Sequence, residues 1–143
     1  MSKKQSKFVA IILMAIVAVV CIYYVPRLVA RTPDIPKGES TSINGYVSYA
    51  STSDKEYKTA VPGEMERFLE AVQALRIRYD NGNDMYKVGD VCADVVVRFG
   101  DGSHWKMVIS DNGLVRINNK NYHCEDQEAV EGILEQIEGW AIS

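Results

Sequence analysis

The stretch that decides the fold is ADVVVRFGDGSHWKMVISDNGLVRI, residues 93–117, in which two glycine-containing turns separate three runs of β-favouring residues. We interpret GDG (100–102) and DNG (111–113) as three-residue hairpin loops, each closed by a glycine in the left-handed conformation. A loop one residue shorter or longer would slip the register by one and turn apolar residues to the wrong face. The segment therefore predicts a three-stranded antiparallel meander in which these pairs share an apolar face: Val97 with Trp105, Val95 with Met107, Ala93 with Ile109, Ile109 with Val115, and Met107 with Ile117.

The same register defines a second face of the meander, on which apolar residues lie among charged ones. Apolar residues bordered by charges can mark a site of interaction with another molecule. The alternatives are that another part of the chain covers this face, or that it is solvent-exposed surface of ordinary composition. We predict a candidate interaction face formed by Val96, Arg98, Lys106, Val108, Leu114 and Arg116.

An aspartate and a histidine beside the first loop would also suit a catalytic or metal-binding loop. The hairpin explains Asp101 as a turn former, so we assign structural roles to Asp101 and His104. The histidines and cysteines show no spacing typical of a metal site, and DNGND (80–84) is followed by neither the glycine nor the glutamate of a calcium loop. Serine-nucleophile, phosphate-loop and dinucleotide motifs are missing from the sequence. We therefore predict no enzyme activity, no cofactor, and no catalytic, cofactor-binding or metal-binding residue.

Two amphipathic segments are predicted as helices on either side of the meander in sequence. VPGEMERFLEAVQALR (61–76) has a proline in its first turn and one apolar stripe, and EDQEAVEGILEQIEGW (125–140) has a second stripe opposite an acidic face. Residues 43–50 predict a first strand, and a turn is predicted at Asn81-Gly82. Because both stripes can cover the apolar face of the sheet, residues 43–143 predict a two-layer α+β domain.

The N-terminal part of the chain predicts a membrane anchor. Phe8–Val25 has 18 residues without a charge, which as a helix measure about 27 Å and nearly match a hydrocarbon core of about 30 Å. A cleaved signal peptide, or a lipoprotein cut before Cys21, are the alternatives, and neither cleavage site has the expected small residues. We predict that residues 8–25 span the cell membrane once, with the basic tail 1–7 in the cytoplasm and the domain outside.

Between the anchor and the domain, residues 26–42 contain three prolines and predict an extended tether. From residue 38 to the end, 10 Lys and Arg stand against 18 Asp and Glu, a net charge of −8. Nucleic acids and anionic lipid surfaces both require a basic footprint. The net charge therefore argues against both as partners of the domain, and we expect its partner to be a protein or peptide outside the membrane.

The order of anchor, Pro-containing tether, helix, meander and helix resembles that of the small uncharacterised single-pass membrane-anchored α+β proteins of Gram-positive bacteria. The resemblance implies an accessory protein that faces the cell envelope, and it brings no catalytic residues to this chain. We predict an anchored extracytoplasmic binding domain. The alternative is a small envelope enzyme with a carboxylate or Cys/His site that no motif reveals.

The two cysteines of the domain could form a disulfide in an oxidising compartment. Cys92 is predicted level with Ser110 at one end of the meander, and Cys124 follows the far end of the third strand. Continued extension would separate them by about 20 Å, whereas a bridge requires Cα atoms within about 7 Å. We predict two free thiols, although a chain reversal at NNKN (118–121) would shorten the gap.

Overall fold

The computed structural model describes residues 2–50, 52–80 and 89–142, and the turn predicted at Asn81-Gly82 lies outside these residues. Three helices and eight strands are found in the described part of the chain. In chain order they are α1 (Lys3–Leu28), β1 (Ser40–Tyr49), β2 (Thr52–Thr59), α2 (Pro62–Gln73), β3 (Ile77–Tyr79), β4 (Val91–Phe99), β5 (His104–Ser110), β6 (Leu114–Ile117), β7 (Lys120–Cys124), α3 (Gln127–Glu138) and β8 (Ala141–Ile142).

All strands belong to one antiparallel sheet with the order β3-β7-β6-β5-β4-β1-β2-β8. The prediction of an α+β fold with an N-terminal apolar helix is confirmed. The prediction of a three-stranded meander is wrong in extent, because β4, β5 and β6 are the centre of a sheet that continues on both sides. β7 and β3 extend it beyond β6, and β1, β2 and β8 extend it beyond β4.

Within the meander, the predicted register is confirmed. Val97 lies opposite Trp105, and Met107 lies opposite both Val95 and Ile117. Both loop glycines have the left-handed conformation, with φ of 87° at Gly102 and 92° at Gly113. The loop lengths therefore set which side chains enter the core.

β7 exists because the chain reverses at a tight turn after β6. Asn118 and Asn119 have φ of 52° and 60°, and Ile117 pairs with Lys120 across them. Positive φ at both central residues is typical of a two-residue type I′ hairpin, and asparagine tolerates this conformation better than other non-glycine residues. The reversal brings β7 back along β6 as a fourth strand.

The two amphipathic helices lie together against the inner face of the sheet. α2 contacts α3 and β1, and α3 contacts β2 and β5. Phe68 of α2 and Trp140, just after α3, pack edge to face with ring centroids 5.2 Å apart. The helices were predicted to pack on the meander. They contact β5 of the meander, but they also contact β1 and β2, because the core lies on the larger sheet.

α1 is apolar and fits a membrane anchor or a signal sequence. Within its span from Lys3 to Val25, an 18-residue window has a mean hydropathy of 2.9, and no part of that window is buried. The helix continues to Leu28, and Arg31 then pairs with Ile77 of β3 through two backbone hydrogen bonds of 2.8 Å. Ile35 is buried with the core. Part of the segment predicted as a tether is thus packed on the domain.

Candidate interaction surface

The six residues of the predicted interaction face lie on the side of the sheet that points away from α2 and α3, which we call the outer sheet face. Register pairs place Val96 opposite Lys106, Val108 opposite Arg116, and Arg98 next to β5. Arg98 and Lys106 are exposed, and the other four side chains are half-buried. Their position on one face is as predicted, and their role in binding remains a prediction.

The outer sheet face extends beyond the meander onto β1, whose pairing the sequence did not reveal, and onto β2, which was not predicted. One row of paired positions runs from β6 to β2 through Arg116, Val108, Asp94, Tyr46 and Glu56. The Tyr46 side chain is 44% exposed. An exposed aromatic residue beside half-buried valines adds apolar area to the centre of the face.

A second row lies beside the first and is rich in cations and amides. It runs through Lys106, Val96, Asn44 and Lys58. The Asn44 side-chain amide donates a 2.9 Å hydrogen bond to the Glu56 carboxylate, which ties the two rows together. Asn44 is only 7% exposed, so this part of the face is held in place by the side chains around it.

A shallow depression of about 410 Å³ opens on the outer sheet face above β5 and β6. Cationic, anionic, amide and apolar groups all line it. These side chains include Asp94, His104, Lys106, Val108, Arg116 and Asn119. The depression can accept a small polar group, and Lys106 and Arg116 favour a negative one.

The Asp101 and His104 side chains, which suggested a catalytic loop, belong to the first hairpin. The backbone N–H of Ser103 donates a 2.9 Å hydrogen bond to the Asp101 carboxylate, and the Ser103 hydroxyl donates another. These two hydrogen bonds hold the pKa of the Asp101 carboxyl below its usual value. Asp101 thus forms the turn as predicted, and His104 begins β5 opposite Arg98.

Within residues 2–50, 52–80 and 89–142, the side chains with a shifted pKa do not converge on one site. Burial and a 3.2 Å hydrogen bond with the Tyr57 hydroxyl raise the pKa of Tyr49 at the end of β1. Burial also raises the pKa of the Cys92 and Cys124 thiols. None of these groups, nor Asp101, lines the depression on the outer sheet face. A cluster of perturbed groups in a cleft, which would favour an enzyme, is therefore not formed by these side chains.

Both domain cysteines are free, as predicted, although the reason differs in part from the expected one. The chain does reverse after β6, so Cys124 returns toward the level of Cys92. Three strand spacings from β4 to β7, about 14 Å, still separate the two cysteines. Cys92 also faces outward while Cys124 is buried, so no bridge can form.

We expect both domain thiols to resist alkylation in the folded chain and to react when it unfolds. At neutral pH a raised pKa leaves little thiolate, and Cys124 is only 1% exposed. Intact mass spectrometry should show labelling at least about tenfold slower than for a free thiol in the same buffer. After unfolding without reductant, both should be labelled. A pair that reacts only after reduction would contradict the strand order.

Among the described residues, no three His, Cys, Asp or Glu side chains are grouped so that they could hold a metal ion. DNGND (80–84) lies outside the described residues except for Asp80. His123 and Cys124 point to opposite faces of β7, one exposed and one buried, so they do not form a nucleophile–base pair. Comparisons of this chain with protein-family models, curated proteins and solved structures found no match.

Proposed function

We propose that the protein is a membrane-anchored binding domain that acts at the membrane surface and uses the outer sheet face as its binding surface. The observation that carries this proposal is the contrast between the two faces of the sheet. The inner face is covered by α2 and α3, while the outer sheet face leaves Tyr46 and half-buried valines accessible among charged side chains. Such mixed surfaces are typical of interaction sites.

The cellular setting belongs to the same proposal. α1 anchors the chain, its basic N-terminal tail lies in the cytoplasm, and the domain lies outside the cell as an accessory protein of the envelope. Three lysines before the apolar run, against Arg27 and Arg31 after it, give a slight positive-inside bias for this orientation, and the short N-terminal tail also favours it. Protease added to intact protoplasts should then remove the domain, and a fully protected domain would place it in the cytoplasm.

A photo-cross-linking amino acid tests the binding surface in the full chain in its native membrane. We expect p-benzoylphenylalanine at Val108, on the outer sheet face, to give discrete adducts upon illumination. The matched control is Glu131, which is exposed on α3 in the helix layer. Adducts of equal yield at both positions, or neither protein nor lipid adducts at Val108, would contradict the assignment of the binding surface.

A further inference from the structure

Charge is segregated between the two layers of the domain. The helix layer carries seven glutamates and one arginine: Glu64, Glu66, Glu70, Glu128, Glu131, Glu135, Glu138 and Arg67. Over the paired positions of the sheet, the outer sheet face carries five cations and two carboxylates: Lys58, Arg78, Arg98, Lys106, Arg116, Glu56 and Asp94. The net charge of −8 therefore conceals one basic face and one acidic face.

The cations at the centre of the outer sheet face are not neutralised by neighbours. Between described residues one ion pair is found, the 3.2 Å contact of Arg78 with Glu125 at the sheet edge. Arg98, Lys106 and Arg116 have no carboxylate within ion-pair distance in this part of the chain. These three side chains can therefore attract a negatively charged partner.

The membrane surface is a partner that this domain can always reach. From Val25, the last residue of the apolar run, three helical residues lead to Leu28 and three more lead to Arg31. This path covers at most about 14 Å. Arg31 is hydrogen-bonded to Ile77 of β3, so that edge of the sheet lies within this distance of the hydrocarbon core. A headgroup layer of about 5–7 Å fills much of the gap.

We propose that the outer sheet face docks on the anionic headgroups of the membrane that α1 spans. Of the two layers, only the basic one is attracted by a negative surface, and the acidic helix layer is repelled. A lipid phosphate would fit the depression that Lys106 and Arg116 line together with Asp94. This inference rests on the proposed function, because it names the partner of the same surface.

The full chain in lipid vesicles provides the test. An environment-sensitive fluorophore is attached to one cysteine, introduced as Tyr46→Cys or as Glu131→Cys, after the native cysteines are replaced. With phosphatidylglycerol in the vesicles, we expect the label at position 46 to shift to the blue and to be quenched by nitroxide lipids. Vesicles of phosphatidylcholine alone, high salt, or the label at position 131 should give no such response.

Charge-reversed variants identify the residues responsible. Lys106→Glu combined with Arg116→Glu should reduce the docked-to-free ratio by about a hundredfold or more, since each cation near an anionic surface favours docking and each new carboxylate opposes it. Arg67→Glu, the matched control in the helix layer, should leave the ratio unchanged. Near-ultraviolet circular dichroism checks that both variants fold, because Trp105 and Trp140 are in the core.

Several outcomes overturn the inference. A label at position 46 that responds equally in both kinds of vesicle would show that lipid charge plays no part. If the lipid response is absent and energy is transferred between fluorophores at position 46 of two copies, the face binds a second copy of the chain. If the lipid response is absent while the cross-linker at Val108 captures a protein, the proposed binding surface stands and the lipid assignment fails. If the lipid response and the cross-links at Val108 are both absent, the proposed binding surface and the lipid assignment both fail.

Discussion

Replacing Gly113 with alanine is expected to destabilise the domain by about 3–4 kcal/mol, while the same change at Gly102 costs only about 1–2 kcal/mol. Both glycines have left-handed backbone, which an alanine adopts at a cost of about 1–2 kcal/mol. At Gly113 the new Cβ would also lie 2.6 Å from the carbonyl oxygen of Cys124, whereas at Gly102 nothing lies within 4 Å. A backbone oxygen in a paired strand cannot move aside as a flexible side chain can.

Thermal unfolding of the full chain in detergent micelles, followed by near-ultraviolet circular dichroism, measures this difference. For a domain of about 100 residues, each kcal/mol lowers the Tm by roughly 4–8 °C. Gly102→Ala is thus the control for the backbone conformation alone. Equal losses at the two positions would show that β7 moves away from the second loop and that the close approach carries no cost.

An aspartate at Met107 is expected to abolish cooperative unfolding, whereas an aspartate at the next residue, which lies opposite Asp94, is expected to cost about 1–2 kcal/mol and to leave the transition cooperative. Met107 is 1% exposed and pairs with Val95 and Ile117 on the inner face. A carboxylate there would lose its hydration without gaining a partner, at a cost that exceeds the stability margin of a small domain. Val108 is half-buried on the outer sheet face, where a charge remains hydrated.

The comparison of these two neighbours tests which face of the sheet is the core. Met107→Leu serves as the conservative control and should remain cooperative, since it keeps the buried volume nearly constant. Loss of the thermal transition in Val108→Asp as well would mean that another part of the chain covers the outer sheet face. That result would contradict both the two-layer architecture and the proposed binding surface.

The meander was predictable because its information is local. Two loops of fixed length, each ending in glycine, determine the pairing of three strands rich in valine and isoleucine. The helices were predictable for the same reason, since their apolar stripes are complete within 12 residues each. A segment whose own residues contain the complete pattern of turns or apolar positions can be predicted from the sequence.

The strands that were not predicted from the sequence depend on partners that are distant in sequence. β2, TSDKEYKT, is largely polar, and Tyr57 and Thr59 are its buried residues. It forms because β1 offers it a hydrogen-bonding edge, which is paired from Ile43 to Val47 and places Gly45 opposite Tyr57. β8 has only two residues and pairs with β2 in turn. No local pattern predicts a strand whose stability comes from its neighbours.

The candidate surface was predicted in part for the same reason. Residues of β4, β5 and β6 were placed on one face by register, but Tyr46, Asn44 and Lys58 belong to strands whose pairing was unknown. The segregation of charge was hidden as well, because net charge is a sum over the chain and carries no direction. Only the assembled sheet separates the basic face from the acidic helices.

The attachment of Arg31 to β3 has a mechanical consequence. Tension between the anchor and the domain is borne first by the two hydrogen bonds to Ile77 and by the burial of Ile35, at one edge of the sheet. We expect these contacts to yield before any central strand, because they comprise only two hydrogen bonds and one buried side chain. Their release would free residues 31–39, whose fully extended length is about 30 Å, so the domain could extend its reach from the bilayer while its fold stays intact.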